Sequence, residues 1–411
     1  MLEHWPTVAI VGLTYAGIAA GRVPGLRMNR TTIAVAGVGL LLVARQMTFG
    51  ELASLIDSDT LVLLFSMMVL NANLRLAGFY ERAGLSLLSA THSPRGLLAV
   101  VIVASGLLSA LLLNDTICLM FTPLVVSLTS RAGRRPTPYL IALATAANIG
   151  SVATITGNPQ NMIIGVASGI PYLRFVGALA PVALLGLGVV WVVLVLLYPR
   201  EYARGRYEIV APTEANPSRV DRALMVKSLV ITGALLIAFL AGVPVALAAF
   251  LAACALLITR RVDPEEVLRS CDWGLLVFFC GLFVLSGVLE TNGITAALFG
   301  ALRLDGSTGV WSLTAVTTLL SNLVSNVPAV LLLKPVVAGL ANPEAGWLTL
   351  AMASTLAGNL TLLGSVANLI VAESAGARGV RLAFWEYTRA GLIITALSLA
   401  LGGLWLQLVS W

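Results

Sequence analysis

Four short polar groups interrupt otherwise apolar stretches of this 411-residue chain: Asn114-Asp115-Thr116, Thr154 to Asn161, Ser325-Asn326, and Thr361 to Asn368. Their amides, hydroxyls and single carboxylate suit the enclosure of a small polar solute or a cation. Gly157 and Pro159 break helical hydrogen bonding and free backbone amides and carbonyls beside Thr154, Asn158 and Asn161. Thr361, Gly364, Ser365 and Asn368 form the corresponding set in the second half. Any one of these residues alone is most simply an interhelical hydrogen bond worth ~0.6 to 2 kcal/mol. Their coincidence at matching places argues instead for a site. Asp115 is the sharpest case, because an ionised aspartate at the bilayer centre costs ~2.5 to 3.5 kcal/mol even on the lenient insertion scale. It is expected to face a cavity and to bind a cation or exchange a proton, with Asn114 and Asn326 beside it.

Other chemistries find little support. The four cysteines (Cys118, Cys254, Cys271, Cys280) form no Cys-x-x-Cys pair, and the two histidines, His4 and His92, fall in polar connections far from the polar groups. No metal, cofactor or enzymatic centre is therefore expected. Cys118 lies close to the first group and would interest a thiophilic ligand, although one thiol cannot chelate it. No Gly-rich phosphate loop ending in Lys-Ser or Lys-Thr is present, so ATP drive is not encoded here. A partner ATPase docking on basic loops is left open. A pI near 9.4 reads as membrane sidedness and not as nucleic-acid binding.

The elements that must position these groups are membrane helices. Only 11% of residues are charged and 58% are hydrophobic, against about 25% charged in ordinary soluble chains. The partner is the lipid bilayer. Apolar runs predict ten transmembrane helices, among them 138–164 and 347–373, which contain the second and fourth polar groups. Two further apolar stretches, 96–129 and 308–340, are split at Asn114-Asp115-Thr116 and at Ser325-Asn326. They read as re-entrant hairpins, since irregular backbone is tolerated at depth only where protein or a cavity solvates it. With both termini outside, every one of the 25 basic residues except Arg45, Arg174, Arg303 and Lys334 falls on the inner side, as cytoplasmic loops require. One miscounted crossing would scramble that partition.

The halves also repeat. Ser109, Leu111, Asn114 and Pro123 match Ser321, Leu323, Asn326 and Pro335 at an offset of about 212, and Thr154 to Asn161 match Thr361 to Asn368 at about 207. The chain divides into a first repeat (1–198), a polar linker (199–223) and a second repeat (224–411). Five spans plus one hairpin per repeat make the second repeat inverted relative to the first. Transporters of that design place their site at the midplane on broken helices. The expected fold class is all-α integral membrane, with ten spans, two hairpins and broken helices in two inverted-topology repeats.

At these motifs the sequence resembles the ion transporter superfamily of divalent anion/sodium symporters, citrate transporters, sodium/proton antiporters and arsenical pump membrane proteins. Leu113-Asn114-Asp115 and Ser325-Asn326-Val327 are similar to the paired hairpin-tip signatures of that family. Gly157-Asn158-Pro159-Gln160-Asn161 and Gly364-Ser365-Val366-Ala367-Asn368 are similar to its paired breaks. The resemblance implies that Asn114, Asn326 and carbonyls of the breaks line cation or substrate sites, and that a hairpin domain moves as an elevator. Asp115 and Val327 stand where the dicarboxylate branch has threonine, and a fixed negative charge repels a dianion. The Asn-Asp tip is closest to the arsenite and antimonite efflux permeases, which implies export of a neutral trihydroxide in exchange for protons across a bacterial inner membrane. Sodium coupling, a carboxylate or other oxyanion as substrate, and sodium/proton antiport remain open alternatives. So does a homodimer, which some branches of the family form.

Overall fold

Where no water reaches the backbone, its N–H and C=O groups must bond to one another, and for apolar segments of this length the outcome is helix. The computed structural model describes residues 5–21, 25–88, 91, 93–203, 221–259, 261–301 and 309–409, and among them there are helices and connections but no strand. Residues 204–220 of the predicted linker lie outside the described residues, as do His4, His92 and Arg303.

The first half contributes α1 (Trp5–Ala20), α2 (Arg30–Val43), α3 (Phe49–Leu55), α4 (Ser58–Leu76), α5 (Phe79–Leu88), α6 (Pro94–Leu111), α7 (Asn114–Arg131), α8 (Pro136–Ser151), α9 (Pro159–Ser168) and α10 (Tyr172–Leu197). The second contributes α11 (Arg222–Leu240), α12 (Val245–Leu257), α13 (Pro264–Arg269), α14 (Trp273–Thr291), α15 (Ile294–Ala301), α16 (Val310–Val324), α17 (Asn326–Ala338), α18 (Pro343–Ala357), α19 (Val366–Gly376) and α20 (Phe384–Leu408). Each helix of one set has a counterpart of like kind in the other. Short α3 and α13 precede the long α4 and α14, and the latter pair begins on matching aspartate caps, Asp57 accepting from Thr60 N at 3.1 Å and Asp272 from Leu275 N at 2.9 Å.

Six helices, α4, α6, α10, α11, α14 and α20, are long and apolar enough to cross a membrane. Three predicted spans are shorter than expected: α1, α2 and α12 hold 16, 14 and 13 residues, against about 20 for a full crossing. Turns explain two of the shortfalls, since positive φ at Gly21 (73°) and Arg45 (54°) follows α1 and α2. The spans predicted at 138–164 and 347–373 are each two helices, α8 with α9 and α18 with α19, parted at 152–158 and 358–365. The short helices α3, α5, α13 and α15 escape a hydropathy reading because they carry too few residues for one.

The halves interlock. Helix α4 packs on α12 and α11, α14 on α2, α7 on α19, α17 on α9, and α10 on α20. Within the first half α6 lies against α8 almost backbone to backbone: a methyl group on Gly150 would sit 2.1 Å from the Gly106 carbonyl oxygen. At one end of the molecule Arg95 Nε donates to Tyr202 O (3.0 Å), Arg134 to Glu201 O (3.2 Å), and Arg135 pairs with Glu386 (3.3 Å). At the other end Arg174 pairs with Glu344, and Trp405 Nε1 donates to Ala178 O at 2.9 Å. Large apolar side chains stand exposed on α1, α2, α10 and α11, including Leu13, Val43, Leu184 and Ile237. Exposure on that scale marks surface made for an apolar neighbour.

Candidate functional site

The first tip is tied to the first break. Asn114 opens α7, its backbone N donates to Gly157 O at 3.0 Å, and its Nδ2 donates to Asn148 Oδ1 at 3.0 Å. Thr154 Oγ1 donates to the carbonyl of Ala110 on the other arm. Gly157 permits this fit, because a Cβ there would come 2.6 Å from Ser151 O and 2.8 Å from Ser109 O. At the second tip a single residue, Ser325, parts α16 from α17 with φ 79° and ψ 160°. That region is populated almost only by glycine, and a side chain held there is strained. Asn326 follows it, with its Oδ1 enclosed and bonded to no protein group.

The two breaks are braced alike, by an asparagine of the helix that resumes. Asn161 Nδ2 donates to the carbonyls of Ser151 (3.1 Å), Val152 (3.3 Å) and Thr154 (2.9 Å). Asn368 Nδ2 donates to those of Gly358 (2.8 Å) and Thr361 (3.1 Å). The freed carbonyls are thus largely satisfied internally. Each break is then tied to the opposite half. Thr355 of α18 receives Asn158 Nδ2 (3.4 Å) and Gln160 Nε2 (3.2 Å). Asn148 of α8 donates to Asn359 Oδ1 (2.9 Å) and Asn368 Oδ1 (3.1 Å), while its own Oδ1 accepts from Asn114 and, at 3.2 Å, from Ser365. Asn148 is the junction where one tip and the opposite break meet.

Both tips and the start of both resumed helices border one cavity of about 290 Å³. Asn114, Asp115, Thr116, Gln160, Ser325, Asn326 and Ser365 provide its polar wall at depth, and Leu64, Met68, Phe278 and Phe279 its apolar wall. Arg30, Arg75, Ser270 and Asp272, which stand at helix ends, are also part of its lining. Among the described residues the ion pairs are Arg135–Glu386, Arg174–Glu344 and Arg269–Glu265, so the four cavity charges Asp115, Asp272, Arg30 and Arg75 are unpaired. Asp115 is half-buried and opens onto this space.

Of the residues singled out in the sequence, Asn114, Asp115, Thr116, Ser325, Asn326 and Ser365 border the cavity. Thr154, Gly157, Asn158, Asn161, Thr361, Gly364 and Asn368 do not. They form the layer behind, which fixes the breaks and holds the tips against them. Cys118 is fully buried in α7 and is not part of the cavity wall. Missed were Arg30, Arg75, Asp272 and Asn71 of the wall, and the bracing residues Asn148, Thr355 and Asn359. The repeat carried a signal for two of these, since the offset of 207 that pairs the breaks also pairs Asn148 with Thr355.

The family model described as citrate transporter matches residues 15–357. The chain belongs to the citrate transporter family. Its relatives include the silicon efflux transporter LSI3 of Oryza sativa subsp. japonica, 34% identical over 92% of this chain and 93% of that protein. A 46 kDa membrane protein of Mycobacterium leprae is 32% identical over 98% and 97%. The protein named arsB in Dictyostelium discoideum is 26% identical over 86% and 82%. Among solved structures, the Alcanivorax borkumensis YdaH transporter superposes with a TM-score of 0.62 at 16% identity, covering 100% of this chain and 98% of that one. This member of the citrate transporter family is a multi-pass membrane transporter.

Proposed function

We propose that this transporter exports a small hydroxylated acid, arsenite or antimonite in the first place, in exchange for protons. The observation that carries the reading is Asp115, a carboxylate that opens onto the cavity with no basic group within 4 Å. At that depth a bare charge is unfavourable, so the carboxylate holds a proton or a cation for part of the cycle. A neutral trihydroxide offers hydroxyl donors to the carboxylate and hydroxyl acceptors to Asn114, Ser325, Asn326 and Ser365, whereas a dianion would meet repulsion. The relative named for silicon efflux supports the same ligand class, since silicic acid is also a small neutral polyhydroxide at neutral pH.

In this reading 1–198 and 224–411 are inverted-topology repeats, with α6–α7 and α16–α17 as re-entrant hairpins. The Arg95 and Arg134 end is cytoplasmic, both termini are outside, and the hairpin domain rides as an elevator. Everted vesicles test the mechanism. A pH gradient is expected to drive arsenite uptake, and Asp115→Asn to abolish it. Uptake that ignores the gradient, or that survives the substitution, would end the proposal.

Arg30 and Arg75 favour a second reading. Two unpaired guanidinium groups in the cavity lining suit a carboxylate or oxyanion, as the family's name implies. Citrate-dependent thermal stabilisation that is lost in Arg30→Gln and Arg75→Gln would select this reading over the first.

A further inference from the structure

Helix α16 carries a face that the transport reading leaves unexplained. Thr314, Thr317, Thr318, Ser321 and Asn322 recur at intervals of three and four residues, so they lie along one side of the helix. Buried serine and threonine hydroxyls in helices usually donate to the carbonyl four residues back. Many in this protein do, among them Ser66 to Val62, Ser105 to Val101, Thr122 to Cys118 and Thr129 to Val125 at 2.6 Å, and Thr145 to Ile141 at 2.7 Å, whereas Ser109, Ser228, Thr395 and Ser398 stand singly or in pairs without a partner. On α16 none does. The hydroxyl oxygens of Thr314, Thr317, Thr318 and Ser321 are enclosed and bonded to no protein group, as are Asn322 Oδ1 and Asn326 Oδ1. Thr317 and Ser321 are 0% and 1% exposed.

The first half supplies an internal control. At the offset of 212 the same positions on α6 are Ile102, Ser105, Gly106, Ser109 and Ala110. There Ser105 bonds back into its own helix and Gly106 lies against the backbone of Gly150, while Ser109, the counterpart of Ser321, is likewise enclosed with no protein partner. The repeat thus leaves one unpartnered hydroxyl, Ser109, on the first hairpin arm and four, Thr314, Thr317, Thr318 and Ser321, in a row along the second. A row of buried polar atoms with no protein partner is unfavourable unless something small supplies both donors and acceptors.

The row has two ends. At the inner end Asn322 Nδ2 donates to Ala357 O at 3.2 Å, its Oδ1 lies 3.2 Å from where a Cβ of Gly364 would be, and one turn further Asn326 borders the cavity with Asp115. At the outer end Trp311 Nε1 donates to Gln407 Oε1 at 2.8 Å, beside the C-terminal turns of α20, whose Trp405 contacts Ala178 near the Arg174–Glu344 pair.

We propose that the hydroxyl face of α16 binds a file of water that passes protons between the Asp115 cavity and the Arg174–Glu344 end of the molecule. Each hydroxyl or water accepts one proton and releases one, so no group in the file changes in net composition. The proton role rests on the exchange reading above; the hydrated face does not.

Two measurements on the full-length chain in vesicles test it. In a cysteine-free background, Thr317→Cys and Ser321→Cys should react with a small charged methanethiosulfonate applied from the Arg174–Glu344 side at least 10-fold faster than Ser105→Cys. The paired change Thr317→Val with Ser321→Ala should slow pH-gradient-driven arsenite flux at least 10-fold while leaving the arsenite-induced shift in Tm unchanged. Cysteines no more reactive than Ser105→Cys would show a dry face and overturn the proposal, whether or not the paired variant folds. Reactive cysteines with undiminished flux in the paired variant would overturn the proton role. Reactive cysteines in a protein whose transport ignores the pH gradient would overturn proton exchange itself and leave the hydrated face standing.

Discussion

Replacing Asn148 with leucine keeps the number and branching of side-chain heavy atoms, adds bulk, and removes four hydrogen bonds: two donated to Asn359 and Asn368 and two accepted from Asn114 and Ser365. Asn114 Nδ2, Asn359 Oδ1 and Asn368 Oδ1 have no second protein partner, so all three are left unsatisfied. Interhelical hydrogen bonds in membrane proteins average about 0.6 kcal/mol each, which sets a floor of roughly 2.4 kcal/mol for the set. Leaving a buried polar group unpaired costs about 1 to 3 kcal/mol, so the loss should exceed that floor wherever cavity water cannot reach. At roughly 1.2 °C per kcal/mol for a chain of this size, Tm in detergent should fall by about 3 °C or more. A double-mutant cycle between Asn114→Ala and Asn148→Ala should give a coupling of about 0.6 to 1.7 kcal/mol, while Asn114→Ala paired with a remote lipid-facing change at Leu184 should give none. Transport should fall with stability, because the same amide joins the first tip to the opposite break. Asn148→Leu with the parental Tm and flux within twofold of the parent would refute the claim that this junction holds the site together.

Three further outcomes follow from the same geometry. Gly150→Ala should cost about 1 to 3 kcal/mol or more, because its Cβ would meet the Gly106 backbone, whereas Gly177→Ala, with nothing within 4 Å, should be neutral or raise Tm slightly. Thermal unfolding of the pair separates close backbone packing from a general effect of glycine. Ser325→Gly should relieve strain worth about 1 to 3 kcal/mol and raise Tm, while lowering transport if the side-chain hydroxyl contacts solute. Unchanged Tm would show that the tip is not strained. Arg174→Gln should change Tm by less than about 1 kcal/mol equivalent, since its pairing with Glu344 is exposed to solvent.

The polar tips and breaks were legible because each stands out against apolar neighbours, and because glycine and proline advertise where a helix must stop. Their pairing across the repeat was legible from offset alone. Hydropathy could not show that 138–164 and 347–373 are each two helices, since the break in each is short and the averaging window spans it. Nor could it reveal the short helices before α4 and α14, which cross nothing.

By itself, the sequence determined the helical class, the repeated order of elements and the identity of both tips, all of which depend on local composition and periodicity. Only the tertiary structure decided what meets at the site. Arg30, Arg75 and Asp272 sit at helix ends that a linear reading assigns to loops, and they reach the cavity because α2 and α4 of one half pack against α14 and α12 of the other. Asn148 lies in a helix whose neighbours are apolar, so its importance depends on four partners drawn from distant segments. Contacts of that separation are fixed by how two halves interlock, and no pattern confined to one segment encodes them.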